Sequence, residues 1–288
     1  MAAGARLLAI ASSGAWTSVA LLRDECGMLE CDSIAEPAGA DQSVRLLATI
    51  GEVLGPAGIA AVSAIAFDAG PGAFTGLRIG CSVAQGLGFA RALPLIAVGS
   101  LEAAAWRSLR LLEPGADVLV RVANDARMGE VYASVVRVRV PRTDAAGPQI
   151  DALVEPMLAA PGSLPVALSR DAIVASRPEL VRLPWLGAGD AWSRLDMAES
   201  WFDALSGRTP SSTGATGVPI EAAMGARAFA ASFALPGDAR AVAEVGWTLW
   251  QQGRAVAADD AAPRYVRDKV ALDVDEQRAL RAQREAGR

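Results

Sequence analysis

The stretch FDAGPGAFTGLRIG, residues 67–80, sets Gly70, Pro71 and Gly72 just ahead of Phe74, Thr75, Gly76 and Arg78. A glycine-rich turn running into a helix presents backbone N–H groups outward, and the chemistry it offers is anion binding, a nucleotide phosphate above all. No lysine follows the turn, so it is not the GxxxxGK[ST] loop. The 288 residues contain no histidine. That removes histidine-ligated metal sites, Ser-His-Asp triads and Cys-His pairs together. Cys26, Cys31 and Cys81 are odd in number and lack CxxC spacing, so neither a disulfide framework nor a zinc clip is implied.

The elements that must carry this turn follow from periodicity. Arg6–Ser12 and Trp16–Leu22 are apolar runs around Ser13-Gly14-Ala15, which predicts a strand hairpin, with Met28–Ile34 as a third strand. A helix is expected over Gln42–Leu54, capped by Asp41 or Ser43, and a short strand over Ala64–Asp68 leads into the turn. Leu77–Arg91 reads as a helix, Pro94–Val98 as a strand, and Ser100 as the cap of a helix through Trp106. The order is βββαβα. After Pro114-Gly115 the pattern restarts with strands over Asp117–Ala123, Glu130–Val140 and Ile150–Val154. Val181–Leu186 is then expected as a strand, and Trp192–Leu205, Pro219–Leu235 and Pro236–Gln252 as helices. The second half looks like a decayed copy of the first. The expected division is one lobe over 1–105, a second over 106–270 and a charged tail over 271–288.

Gly76, Gly80, Ala84 and Gly88 fall four apart and share one helix face. Glycines at 80, 86 and 88 together cost a helix about 3 kcal/mol against alanine, so a close contact must offset them. The preceding helix carries two apolar faces, Val44, Leu47 and Leu54 on one and Leu46, Ile50 and Val53 on the other. A helix on a sheet needs one stripe. Surplus surface on both helices points to a four-helix contact with a second chain.

Composition sets the outer limits. Hydrophobic residues make up 52%, ample for a core, and the net charge is −5 without a dense basic run, which argues against a chain that grips nucleic acid alone. No apolar run approaches the ~20 residues of a membrane span, and no signal-peptide pattern opens the chain. The expected compartment is the cytoplasm.

Gly70–Gly80 resembles the GPGSFTGLRIG signature of the TsaB family of bacterial tRNA threonylcarbamoyladenosine biosynthesis proteins, with Ala73 standing for serine. Leu7–Leu22 resembles that family's opening hairpin, and Ser43 with Arg45-Leu46-Leu47 its HSERLL helix start. Pro94–Glu102 resembles its iPlvgvsSLea strand and helix. Asp125, Arg127, Glu130 and Tyr132 resemble its DARrgevY motif, and Pro263–Arg267 its closing P.YlR. The matches are dense over the first ~130 residues and sparse beyond.

The resemblance implies a two-lobed α/β fold of the actin, Hsp70 and sugar-kinase (ASKHA) type, each lobe built as βββαβα. It implies a non-catalytic subunit that binds the transferase TsaD, its paralogue, with an ATPase, TsaE, joining and tRNA reached only through the complex. It assigns the partner interface to Gln42, Leu46, Ile50, Gly76, Arg78, Gly80, Val83, Ala84 and Gly88, with a homodimer as the alternative state of the isolated chain. No intrinsic cofactor or metal is expected; an ADP or ATP shared at the interface is left open, with Gly70, Pro71, Gly72, Phe74 and Thr75 as its contacts. Two positions depart from the family: Ala11 stands where an aspartate often follows the first strand, and Gln42 where the helix starts with histidine. Both departures count against independent catalysis.

A competing assignment rests on Gly187-Ala188-Gly189-Asp190-Ala191, which resembles the GAGDA helix start of ribokinase-type sugar kinases, where the aspartate is the catalytic base. The plainer expectation is that Asp190 caps the next helix. Peptidase chemistry would need a metal or triad for which the residues are lacking.

Overall fold

The computed structural model describes residues 4–109, 112–143, 146–202 and 238–267, without the side chains of 193 and 194. Strands β1 (Arg6–Ala11), β2 (Trp16–Glu25), β3 (Met28–Pro37), β4 (Ala64–Gly70) and β5 (Leu95–Gly99) form one sheet in the order β3-β2-β1-β4-β5. β6 (Asp117–Arg127), β7 (Glu130–Arg139), β8 (Gln149–Ala159) and β9 (Trp185–Ala188) form a second in the order β8-β7-β6-β9. In each sheet two antiparallel pairings are followed by a parallel one. The second half therefore repeats the first strand for strand through its fourth, as the restarted pattern predicts.

Central strands β1 and β4 are apolar along nearly their whole length because both faces are covered. The edge strand β3 alternates half-buried and exposed residues, so one of its faces meets solvent. Helices α1 (Gln42–Leu54) and α2 (Phe74–Arg91) cover the outer face of the first sheet, where Leu8, Ile10, Phe67, Leu46, Ile50 and Ala84 share one cluster. Helices α3 (Ser100–Leu109) and α6 (Ala239–Gln251) lie between the sheets, in a core that joins Leu7, Ala66 and Val98 to Val120, Val136 and Leu186. The outer face of the second sheet carries α4 (Arg170–Ser176) and α5 (Ala191–Arg194), packed through Leu119, Trp185 and Trp201.

Several expectations are corrected. The strand expected at Val181–Leu186 begins only at Trp185, and α4, seven residues long, was not foreseen. The helix expected over Trp192–Leu205 stops after one turn, because Leu195 is extended at φ −120° and ψ 152°. Ser100 does not cap α3: its hydroxyl donates to Asp68, and the Glu102 carboxylate takes the Gly99 N–H at 2.8 Å instead. The expected boundary at 105/106 falls inside α3, and it assigns α6 to the second lobe although α6 packs on β1, β2, β4 and β5 of the first. The helix expected at Pro219–Leu235 and the tail over 271–288 lie outside the described residues.

Candidate functional site

The glycine stripe of α2 faces inward. A Cβ at Gly76 would overlap the Ser12 carbonyl oxygen, one at Gly80 the Ser12 hydroxyl, and one at Gly88 would lie 2.8 Å from Leu95 Cδ2. Gly76, Gly80, Ala84 and Gly88 are all buried against the chain's own first sheet. The contact that offsets their helix cost is thus intramolecular, which corrects their assignment to a partner interface. Four-residue spacing defines a face but not which neighbour fills it. Leu46 and Ile50 are corrected likewise, being buried in the outer core, with Val83 half-buried beside them. Gln42 is a brace: its side-chain amide donates to Ser12 O at 3.0 Å and to Thr17 Oγ1 at 2.8 Å.

What points outward is a different set. Val44 is 71% exposed, Leu47 54% and Phe89 83%. Gly86, where nothing lies within 4 Å of an added Cβ, belongs to this side of α2. Val44 and Leu47 are on one of the two faces that the sequence marks on α1, whereas nothing in the sequence singled out Phe89.

The glycine-proline turn itself is sewn to the β1–β2 hairpin. Ala73 N–H donates to Ser13 O at 2.8 Å, Ser12 Oγ donates to Gly76 O at 2.8 Å, and a Cβ at Gly72 would come within 2.6 Å of Ser13 Cβ. Gly70, at φ +100° before a cis proline, is crowded by Arg264 O at 2.8 Å from where a Cβ would stand. Phe74 and Arg78 stack, the guanidinium 3.7 Å above the ring, while Thr75 is exposed at the first turn. Donors that would cradle a phosphate are in part already used: Gly70 N–H goes to Asp68 Oδ1 at 3.2 Å and Leu77 N–H to Ala73 O at 2.9 Å.

Asp68 was not singled out in the sequence and is the centre of this region. Its buried carboxylate accepts the hydroxyls of Ser13 and Ser100 besides the Gly70 N–H. It thereby ties the first hairpin, the end of β4 and the start of α3 to one point. Burial pushes its carboxyl above the ordinary range, against those hydrogen bonds.

Asp68, Ser13, Gly72 and Ser100 form one wall of a cleft whose other wall is Asn124, Asp125, Arg127, Tyr132 and Asp190. The second-lobe motif is thus brought opposite the glycine turn. Its cavity is about 100 Å³, below the roughly 300 Å³ at which ligand pockets begin. Asp190 does not cap α5; its carboxylate accepts the Asp125 N–H at 2.8 Å. Asp125 Oδ1 in turn accepts the Arg127 N–H at 2.7 Å, and Glu130 pairs with Arg267. Tyr132 is buried, and burial raises its hydroxyl pKa. Among the described residues no group of three or more Cys, Asp or Glu could hold a metal ion, and no helix is long and apolar enough to cross a membrane.

Comparison with known proteins agrees with this architecture. The TsaD family model, described as tRNA N6-adenosine threonylcarbamoyltransferase, matches residues 35–271. The tRNA threonylcarbamoyladenosine biosynthesis protein TsaB of Haemophilus influenzae is 42% identical over 137 residues, 46% of this chain and 55% of the relative. That of Escherichia coli is 37% identical over 129 residues, 44% and 53% of the two chains. The chain spans about half the length of the curated relatives it matches. The solved structure of YeaZ from Pseudomonas aeruginosa superposes with a TM-score of 0.62 at 28% identity, covering 91% of this chain and 99% of that one. The repeated lobes are those of the ASKHA fold. By the family model, the chain belongs to the TsaD family, and over about half of its length it is similar to TsaB proteins.

Proposed function

We propose that the chain is a non-catalytic subunit of the system that forms N6-threonylcarbamoyladenosine in tRNA, and that it binds and activates a TsaD-type transferase through the outer faces of α1 and α2. The observation that carries this is the apolar surface of Val44, Leu47 and Phe89, left uncovered once the inner faces of both helices are spent on the chain's own sheet. Exposed large side chains of this kind, with Gly86 leaving room on the same side of α2, suit a helix-on-helix interface. A TsaE-like ATPase joins the pair, tRNA is reached only through the complex, and the same face makes a homodimer when the transferase is absent. An ADP or ATP binds only where the transferase completes its site, since the narrow cleft and partly spent turn donors do not favour one in the chain alone.

The test is co-expression of the chain with a TsaD-type transferase, followed by pull-down and a tRNA modification assay. Leu47→Glu with Phe89→Glu should leave the chain folded and abolish both pairing and modification. Pairing that survives both substitutions would sink the assigned face. The sugar-kinase alternative is disfavoured because Asp190 is engaged with the Asp125 backbone. With magnesium and ATP the chain alone should turn over no faster than a blank, and a rate abolished by Asp190→Asn would restore that alternative. Alone, the chain should bind tRNA no tighter than ~10⁻⁴ M at physiological salt.

A further inference from the structure

The segment that follows α6 runs from the first lobe to the second beside the cleft, and the role proposed above makes no use of it. Val256 exchanges two backbone hydrogen bonds with Leu95, at 2.8 and 2.9 Å, which lays the segment along the edge of the first sheet. Ala261 is buried, and its carbonyl accepts Gln85 Nε2 at 2.9 Å. Arg264 N–H then donates to Ala69 O at 2.6 Å, at the foot of the glycine turn. The Tyr265 ring lies 5.2 Å from Phe74, and its hydroxyl accepts Arg78 Nε at 3.3 Å. Two residues on, Arg267 pairs with Glu130 and also reaches Arg127 O at 3.5 Å and Met128 Sδ at 3.3 Å. The stretch Arg264–Arg267 thus contacts Ala69, Phe74 and Arg78, which flank the cleft residues Pro71–Ala73, and on the other lobe Arg127, itself a cleft residue, with Met128 and Glu130.

We propose that residues 261–267 are a clasp that sets the aperture of the cleft, anchored on the first lobe by Arg264 and Tyr265 and fastened to the second by Arg267. The two ends differ in kind. The first-lobe end is held by a backbone hydrogen bond, a buried alanine and an aromatic stack. The second-lobe end hangs on one guanidinium, so it is the end that releases. The turn it grips is under strain: Arg127 and Met128 have φ of +64° and +58°, a region that side-chain-bearing residues seldom adopt. Asp125 pins that turn from inside the cleft through the Arg127 N–H, and Arg267 pins it from outside through the Arg127 carbonyl. The Arg267 side chain is 14% exposed and that of Glu130 39%, so the pair is sheltered on its guanidinium side and open to solvent on its carboxylate side. Ala103, Ala104 and Arg107 of α3 and Val242 of α6 line the cleft as well, and α3 contacts both sheets there.

Hydrogen exchange on the full chain tests this. Arg267→Ala should speed exchange about tenfold at the amides of Asp125 and Arg127, the rise expected where local opening becomes easier, with Arg264, held on the first lobe, and Leu8 and Val120 unchanged. In a Cys26→Ser background, a cysteine placed by Ala104→Cys in the cleft wall should react faster with a small maleimide when Arg267 is removed. Exchanging the charges, Arg267→Glu with Glu130→Arg, should restore the ion pair but not the donor to Arg127 O and so recover both readouts only in part, and Arg267→Lys should lose less than Arg267→Ala. Unchanged local protection and labelling would overturn the clasp. A rise spread equally over Leu8 and Val120 would overturn it too, since Arg267 would then be supporting the whole fold and not the aperture.

Discussion

Gly76→Ala is the most direct test of how α2 sits on the sheet. The added carbon would overlap the Ser12 carbonyl oxygen and come 2.9 Å from its carbon and 3.2 Å from Ser13 Cα. All three atoms are backbone, so no rotamer change relieves the overlap, and the end of β1 must part from α2. Overpacking of that kind costs about 1–3 kcal/mol. The separation also strains the hydrogen bonds from Ser12 Oγ to Gly76 O and from Ala73 N–H to Ser13 O, each worth about 1 kcal/mol net. Helix propensity returns at most about 1 kcal/mol. The net loss is about 2–4 kcal/mol, which at roughly 2–4 °C per kcal/mol in a chain of this size lowers Tm by about 5–15 °C. Gly86→Ala is the control, because nothing lies within 4 Å of a Cβ there, and it should raise stability by about 0.5–1 kcal/mol. Circular dichroism melts of the two variants decide the matter. A Gly76→Ala chain that melts with the unaltered one would refute the inward packing of the stripe.

The same helix pair offers a second contrast: Leu46→Ala should cost about 2–5 kcal/mol as a core deletion, while Val44→Ala should stay within about 0.5 kcal/mol, both read from denaturant titrations. Burial raises the folded pKa of Asp68, so the native state holds that proton more tightly than the unfolded chain. Its contribution is complete below about pH 3.9 and fades as pH climbs through the raised folded value. The stability of the unaltered chain relative to Asp68→Asn should therefore fall from pH 4 upward, and a flat difference would contradict the burial argument. Burial pushes the Cys31 thiol up to about 12 and raises that of Cys81, whereas Cys26 is exposed. Cys26 should react quickly with a disulfide reagent at pH 8, half-buried Cys31 slowly and buried Cys81 only after denaturant; three fast thiols would contradict the packing of β3 and α2.

The parts of the fold that could be read beforehand are those written in local pattern. β1, β2, β4 and β7 announce themselves as apolar runs bounded by turn residues, and α2 by the turn that launches it. β9 was misplaced because a four-residue buried strand carries almost no periodic signal, and α4 was missed because two turns of helix carry little more. The glycines at 76, 80 and 88 were legible as a face that needs a close neighbour. That the neighbour is Ser12 and Leu95, not a second chain, is decided by sheet order, which is long-range information. Asp68 shows the same limit: its partners stand at positions 13 and 100, and only the fold brings them to one carboxylate.

Because α6 belongs to the first lobe's inner face, the order of synthesis matters. Ser18 Oγ accepts the Ala239 N–H at its start, and Gly246 leaves no room for a Cβ against Ala66. On a ribosome adding roughly 5–20 residues per second, the strands of the first sheet precede this helix by roughly 10–30 s. Through that interval Leu7, Ala66 and Val98, on the inner face, lack the cover that α6 gives them. A nascent chain stalled before residue 239 should be sticky and dependent on chaperones, and its first hundred residues should not behave as a separable domain. The lobe that is made first is finished last.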